Sequence, residues 1–353
     1  MMAKQLGIDM LDEIRAIWQV KASQCEGIDN GFHLWPGHHK VTVRCTSSSS
    51  AQSPDTWRLS VRTEYLKGVN LEDPESPIQV FGMGAFAPTY GWAFTPPDVS
   101  KQYKIPSDDA VYFYSATYVR AATAKWLPRL FAQLSIMQAI DAQRSADSFG
   151  EMLKGTANKS GARFASGLSD VDPILYVAAE VLTPAGKEAS RWAGAGEFDA
   201  IIEQLGRSNA TLATRATGGV SLQTPFGVDA ALLSLRHDIP HPALGSGLLG
   251  TIRLPVMQSQ TDSAQACMWL NYLASTSWTD APIHGTWHPQ ETSQGRYCPA
   301  YGAFIPNALY SEGLATNLAL WNLSLTRWAR QAVWPQLTDR TMQDILAAPP
   351  AVG

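Results

Sequence analysis

Charge is scarce in this chain. Asp, Glu, Lys and Arg make up only 16% of its 353 residues, and they nearly cancel at 31 acidic against 27 basic. A net charge of −4 leaves no basic footprint for nucleic acid and no polybasic stretch for an anionic membrane. Long apolar runs are missing too: no window approaches the ~18 uninterrupted apolar residues that a membrane span requires. The opening MMAKQLGIDMLDEIRAIW has one early lysine followed by acids, without the charged and then continuously apolar regions of a secretion signal. The expectation is a cytoplasmic protein without nucleic-acid or membrane partners.

Cysteine and histidine are equally sparse. The four cysteines (Cys25, Cys45, Cys267, Cys298) contain no CxxC, which excludes the spacing of a zinc knuckle or a redox dithiol. In a reducing compartment they read as reduced, half-buried small hydrophobes. Seven histidines include two pairs at i, i+4. His284 and His288 flank Gly285 and Trp287 and precede Pro289, so they belong to a strand or turn. There, four residues separate the rings by roughly 13 Å, too far to share an ion. His237 and His241 stand beside Pro240 and Pro242, which exclude a chelating helix, and the adjacent His38 and His39 point to opposite faces of a strand. No metal and no cofactor are expected. GxSxG, GxxxxGK[ST] and strand-following GxGxxG motifs are absent. The acidic pairs Asp108-Asp109 and Glu72-Asp73 read as solvated turns beside prolines. A triad assembled from distant segments leaves no local spacing, so an enzyme of unrecognised class stays as the alternative.

What is present is patterning. A short helix is expected from about Asp9, with Met10, Leu11, Ile14, Ile17 and Trp18 on one stripe. A turn at Pro36-Gly37 leads into a strand alternating Val41, Val43 and Cys45. A Ser-rich loop joins it to a second strand, with Trp57, Leu59 and Val61 on one side. Further strands are read in residues 78–86 and 90–95, then a loop over 95–109. Residues 110–119 read as a last strand or the lead into a helix. From Ala121 to Phe149 the period turns helical through Leu127, Leu130, Phe131, Leu134, Met137 and Ile140, with Pro128 in the first turn or at a kink. Residues 155–167 form the candidate linker, and a helix starting at Asp172-Pro173 follows it.

The second half reads as a helix over 197–206, three strands (218–224, 230–238, 249–256), and a helix over 262–275. Two aromatic strands (283–288 and 298–307) and a final helix over 313–334 complete it. The fold class is therefore α+β: two domains, each a twisted antiparallel sheet packed by helices on one face. The limits are 1–154 and 197–340, with a linker and helix over 155–196 and a tail over 341–353.

Aromatic residues are the remaining signal. Tyr90 and Trp92, and in the second half Trp287 and Tyr301, lie on strands in corresponding places. For each singly, core packing outweighs ligand contact. Together they are the candidate peptide-binding residues, because Trp and Tyr concentrate binding energy.

Four pieces carry a resemblance: the helix ACMWLNYLA with its central Leu-Asn, the Gly-x-Trp strand HGTWH, the aromatic strand closing in Ile-Pro-Asn, and the last helix LALWNLSLTRWA. In these the second half resembles type III secretion chaperones and the YbjN-like proteins of the actinobacterial type. In the first half WRLSVRTEYLKGV, APTYGWAF and LFAQLSIMQAIDAQRSAD are similar to the partner domain of the same tandem architecture. The resemblance covers about residues 9–150 and 197–335. It implies a chaperone-like factor that binds a peptide or protein client through a sheet face or a dimer surface, without catalysis. A homodimer is one arrangement this allows, and a structural module of a larger assembly is another reading. The resemblance transfers no site residue.

Overall fold

Residues 2–18, 25–47, 57–69, 90–93, 110–159, 188–194, 196–206, 211–227, 229–242, 244–256, 258–275 and 283–333 are described by the computed structural model. Two antiparallel sheets dominate it. The first contains β1 (Cys25–Ile28), β2 (Gly31–Leu34), β3 (Val41–Ser47), β4 (Trp57–Lys67), β5 (Gly91–Ala93) and β6 (Val111–Tyr118) in the order β1-β2-β3-β4-β6-β5. The short β7 (Thr156–Ala157) pairs with β4 off this path. The second contains β8 (Leu212–Ala216), β9 (Gly219–Phe226), β10 (Asp229–Arg236), β11 (Gly247–Arg253), β12 (Thr286–Glu291) and β13 (Tyr297–Pro306). Read from β8, its order is β8-β9-β10-β11-β13-β12. The two sheets thus repeat one strand order. The helices are α1 (Met2–Ile17), α2 (Leu127–Met152), α3 (Glu197–Gly206), α4 (Gln260–Ser275) and α5 (Leu314–Trp328).

Several strands and helix ends differ from the sequence reading. Cys25–Ile28 and Gly31–Leu34 form a hairpin turned at Asp29-Asn30, where Asn30 takes φ 58°. Asparagine tolerates that left-handed conformation, so Asp-Asn-Gly was the turn signal there. A fourth strand, β8, precedes the three expected in the second half. It is joined to β9 through Thr217 and Gly218, with Gly218 at φ 66°. Residues 111–118 are a strand, and α1 starts at Met2 rather than near Asp9. Pro128 sits in the first turn of α2, where its missing N–H costs nothing. The last helix gives way to a π turn over Ala329–Val333. The strand read at 78–86, the loop over 95–109 and the helix beginning at Asp172 lie outside the described residues. Of the candidate linker, Gly155–Lys159 is described, and its Thr156 and Ala157 pair with Lys67 and Leu66.

The helices that cover each sheet also reach the other half. Every residue of α2 from Leu130 to Ala139 is buried, as is nearly all of α4 from Ser263 to Ala274. A stretch buried all round has no solvent face to offer, and both lie between layers. On one side α2 packs on the first sheet and α1. On the other, Trp126 meets Trp321 at 5.2 Å between ring centroids, and Arg129 donates to the Ala308 carbonyl at 2.7 Å. Helix α4 contacts β12 and β13 of its own sheet and β5 and β6 of the other. Arg58 on β4 donates to the carbonyl of Ala274 near its end. One apolar cluster consequently runs through both halves.

A polar stripe fixes α2 on the sheet. Ser135 accepts from the Trp18 indole at 2.8 Å, and Gln138 bonds Thr63 and Ser115 at 2.9 and 3.1 Å. One turn on, Asp141 accepts from Tyr90 at 2.6 Å, and Ser145 meets the Tyr65 hydroxyl at 2.8 Å. Positions 135, 138, 141 and 145 recur at helical spacing, so sliding or rotating the helix would unpair several buried groups together.

Candidate functional site

The strand register decides where the expected peptide-binding residues point. Across the first sheet one row runs Leu34, Val41, Thr63, Phe113, Trp92, and all five are buried. Across the second, the row Leu222, Leu233, Ile252, Tyr301, Trp287 is also buried. Tyr90, Trp92, Trp287 and Tyr301 are 3%, 5%, 1% and 2% exposed. They are core residues and present no surface to a peptide, which corrects their assignment as binding residues. The physical reason is register: period-2 alternation puts them on the face that α2, α4 and α5 cover.

The structure brings the two pairs to different places. Tyr90 and Trp92 join Tyr65, Phe113 and Phe149 in an aromatic cluster with centroids 4.2–6.1 Å apart. Burial pushes both the Tyr90 hydroxyl and its partner Asp141 up from their ordinary pKa values; the hydrogen bond and Arg144 only partly offset this at Asp141. Trp287 and Tyr301 face each other at 5.4 Å. The Tyr301 hydroxyl accepts from the His284 backbone N–H at 2.9 Å.

Asn271, the asparagine of the Leu-Asn pair on α4, closes the outer edge of β12. Its Nδ2 donates to the Trp287 carbonyl at 2.9 Å, and its Oδ1 accepts the Trp287 N–H at 3.0 Å. Asn307, from Ile-Pro-Asn, accepts from Arg191 N–H and donates to the Ala189 carbonyl, fastening residues 188–194 and the buried Trp192 to the second sheet. Both asparagines therefore satisfy backbone groups.

Apart from the adjacent His38 and His39, the histidines sit in separate surroundings. His39 bonds the Glu64 carbonyl at 2.9 Å, and His33 bonds Thr42 at 2.9 Å. His241 lies against Phe304, with burial holding its pKa down at about 4. Among the described residues no group of three or more His, Cys, Asp or Glu is placed to hold a metal ion. No disulfide joins the four cysteines; burial pushes the Cys45 thiol up to about 12 and raises Cys267 and Cys298. No helix among the described residues is long and apolar enough to cross a membrane.

The surface feature the sequence reading missed lies at the far end of the second sheet. On its outer face Leu212, Gln223, Leu232 and Arg253 form one row across β8 to β11. Leu212 is 58% and Leu232 38% exposed, with Pro225 and Ala230 exposed beside them. Strand β8 ends the sheet order. Its two-residue turn to β9 makes Ala216–Gly219 a hydrogen-bonded pair. By alternation Ala213 and Arg215 then turn their backbone N–H and C=O away from β9. Arg215 itself is tied to Asp199 on α3. Thr217-Gly218-Gly219 was the available hairpin signal, but LATRA carries too little apolar alternation to mark a strand. No protein-family model, curated protein or solved structure matches this chain significantly.

Proposed function

We propose that the chain is a chaperone-like factor that binds an extended peptide or protein segment by strand addition at β8, in the manner implied by its resemblance to secretion chaperones and YbjN-like proteins. One observation carries the reading. The terminal strand of the second sheet offers the ladder groups of Ala213 and Arg215 beside two exposed leucines, Leu212 and Leu232. An added strand would take its affinity from those main-chain groups, and its alternate apolar side chains would lie beside the leucines. Two other sheet ends, at β12 and β5, are occupied. Asn271 closes β12, and the backbone of Ile283 pairs with Ala116 of β6 where β5 ends. A cytoplasmic setting fits four cysteines without a disulfide, which a reducing compartment preserves.

Replacing Ala213 by proline tests this, because it removes a free-edge N–H while leaving the β8–β9 ladder intact. With a synthetic heptapeptide alternating valine and threonine, calorimetry should find binding to the natural chain. The affinity should fall at least about tenfold in Ala213→Pro, with thermal stability unchanged. Equal affinity for both proteins, or no binding to either, would overturn the proposal. So would a concentration-dependent dimer that Ala213→Pro dissolves without any peptide binding, since β8 would then belong to a second copy.

A further inference from the structure

We propose that His284 makes the seam between the two halves an acid-sensitive latch, closed while its imidazole is neutral and opened by protonation. The inference rests on the geometry of the seam and is independent of the strand-addition reading.

His284 lies where the two sheets meet. Its neighbour Ile283 forms the backbone bridge across the seam, donating to the Ala116 carbonyl at 2.7 Å and accepting the Ala116 N–H at 2.9 Å. The imidazole is 3% exposed. It stands 4.2 Å from the Trp321 ring of α5 and 6.1 Å from the Phe131 ring of α2, centroid to centroid. Neither ring nitrogen has a hydrogen-bond partner among the described residues. A neutral imidazole tolerates such an aromatic slot, whereas an imidazolium there would be a buried charge without a counter-ion.

The groups around it give no relief. From α2 comes Phe131, with Arg129 two residues earlier committed to the Ala308 carbonyl. From α5 comes Trp321, and behind it Trp126. From β13 comes the Tyr301 hydroxyl, which burial keeps protonated. From β6 comes Ala116, through Ile283. No carboxylate or cation among the described residues acts on the ring, and burial alone takes its pKa down from 6.5 to about 3.

The sign follows from linkage. Closed, the ring stays neutral to about pH 3, whereas open in water it binds a proton below about 6.5. The open form takes up more protons across that interval, so acid favours opening by about tenfold per pH unit. Above pH 6.5 the latch is at full strength. From pH 7.5 to 5.0 the closed population relative to open should drop about 30-fold. The other histidines whose pKa burial lowers lie on the strands and loops of single halves, His33 and His39 in the first and His241 and His288 in the second, so their protonation is linked to unfolding of that half and is read separately from the bridge.

Amide hydrogen exchange on the full chain reads the latch directly, with protection corrected for intrinsic exchange. The expected result is selective loss of protection at Ala116 and Ile283 as pH falls from 7.5 to 5.0, while Leu222 and Leu233 of the β9–β10 ladder keep theirs. In His284→Phe, which retains an aromatic ring but no proton site, the selective loss should disappear. His284→Gln is a second non-titrating variant for the case where phenylalanine does not fold. The proposal is overturned if the bridge amides and the β9–β10 amides respond alike in the natural chain, or if the selective loss persists in a folded non-titrating variant.

Discussion

At the scale of single residues, this protein places titratable groups where burial governs them. Asp141 and Tyr90 illustrate the consequence. The carboxyl of Asp141 is held above its ordinary pKa by burial, against the Tyr90 hydrogen bond and the nearby Arg144. A folded-state pKa above the unfolded one means that folding favours the protonated acid, so this contribution is largest at low pH and is lost as pH rises through the folded value. Asp141→Asn keeps an acceptor for the Tyr90 hydroxyl and removes the ionisation. The variant should gain stability relative to the natural protein as pH is raised from 4 to 7, seen as a widening gap in urea midpoints. Tyr90→Phe has the opposite effect, leaving the carboxylate without its 2.6 Å donor at a cost of about 1–3 kcal/mol at pH 7. His284 carries the reverse sign, losing stabilisation as pH falls, so the two residues bend the pH profile from opposite ends.

At the scale of elements, the edge strand β12 shows how a motif with no catalytic signature earns its place. Both outward backbone groups of Trp287 are taken by the Asn271 amide, and Trp287 is 1% exposed. Asn271→Leu matches the volume and strands both groups, which should cost about 2–4 kcal/mol in denaturant titration and speed exchange of the Trp287 amide. A loss under about 1 kcal/mol would mean that another group closes this edge. Elements were legible in the sequence in proportion to how one-sided their burial is. Strand β3 and the Leu59–Tyr65 stretch of β4 alternate because one face meets α1 and α2 while the other carries Arg44 and Arg62 toward solvent. Strand β13 is buried from Cys298 to Pro306, so its pattern names a strand without saying which face is core. That is why Tyr301, and Trp287 opposite it, read as surface candidates when they line the interior. The reverse error occurred at β8, whose five residues are all half-buried or exposed and so carry no hydrophobic signal. The run ACMWLNYLA, lacking any polar side, did contain the information that α4 is enclosed, but a single helix pattern cannot say by what.

At the scale of the whole molecule, a repeated strand order and a shared core have to be reconciled. Duplicated units normally bury their own cores and meet through a modest, more polar interface. Here Trp126, Phe131, Ile283 and His284 pack across the boundary, and Trp321 sits on it. The backbones approach so closely that a Cβ on Gly91 would lie 2.9 Å from the Gly285 carbonyl and 2.9 Å from Ile283 Cγ2. Such a seam holds without a covalent link. A protease site introduced between Lys159 and Glu188, then cut, should leave both pieces migrating as one species in size-exclusion chromatography at pH 7.5. The same cut in a Gly91→Val background should release them, because the added side chain meets backbone that cannot yield and overpacking of this kind costs about 1–3 kcal/mol. Pieces that separate at once in the natural background would mean that the two sheets are independent domains in contact, and that the aromatic packing between them contributes little. Pieces that hold together would identify the seam as an interior, formed because the Leu130–Ala139 stretch of α2 and most of α4 have no face left to give to water.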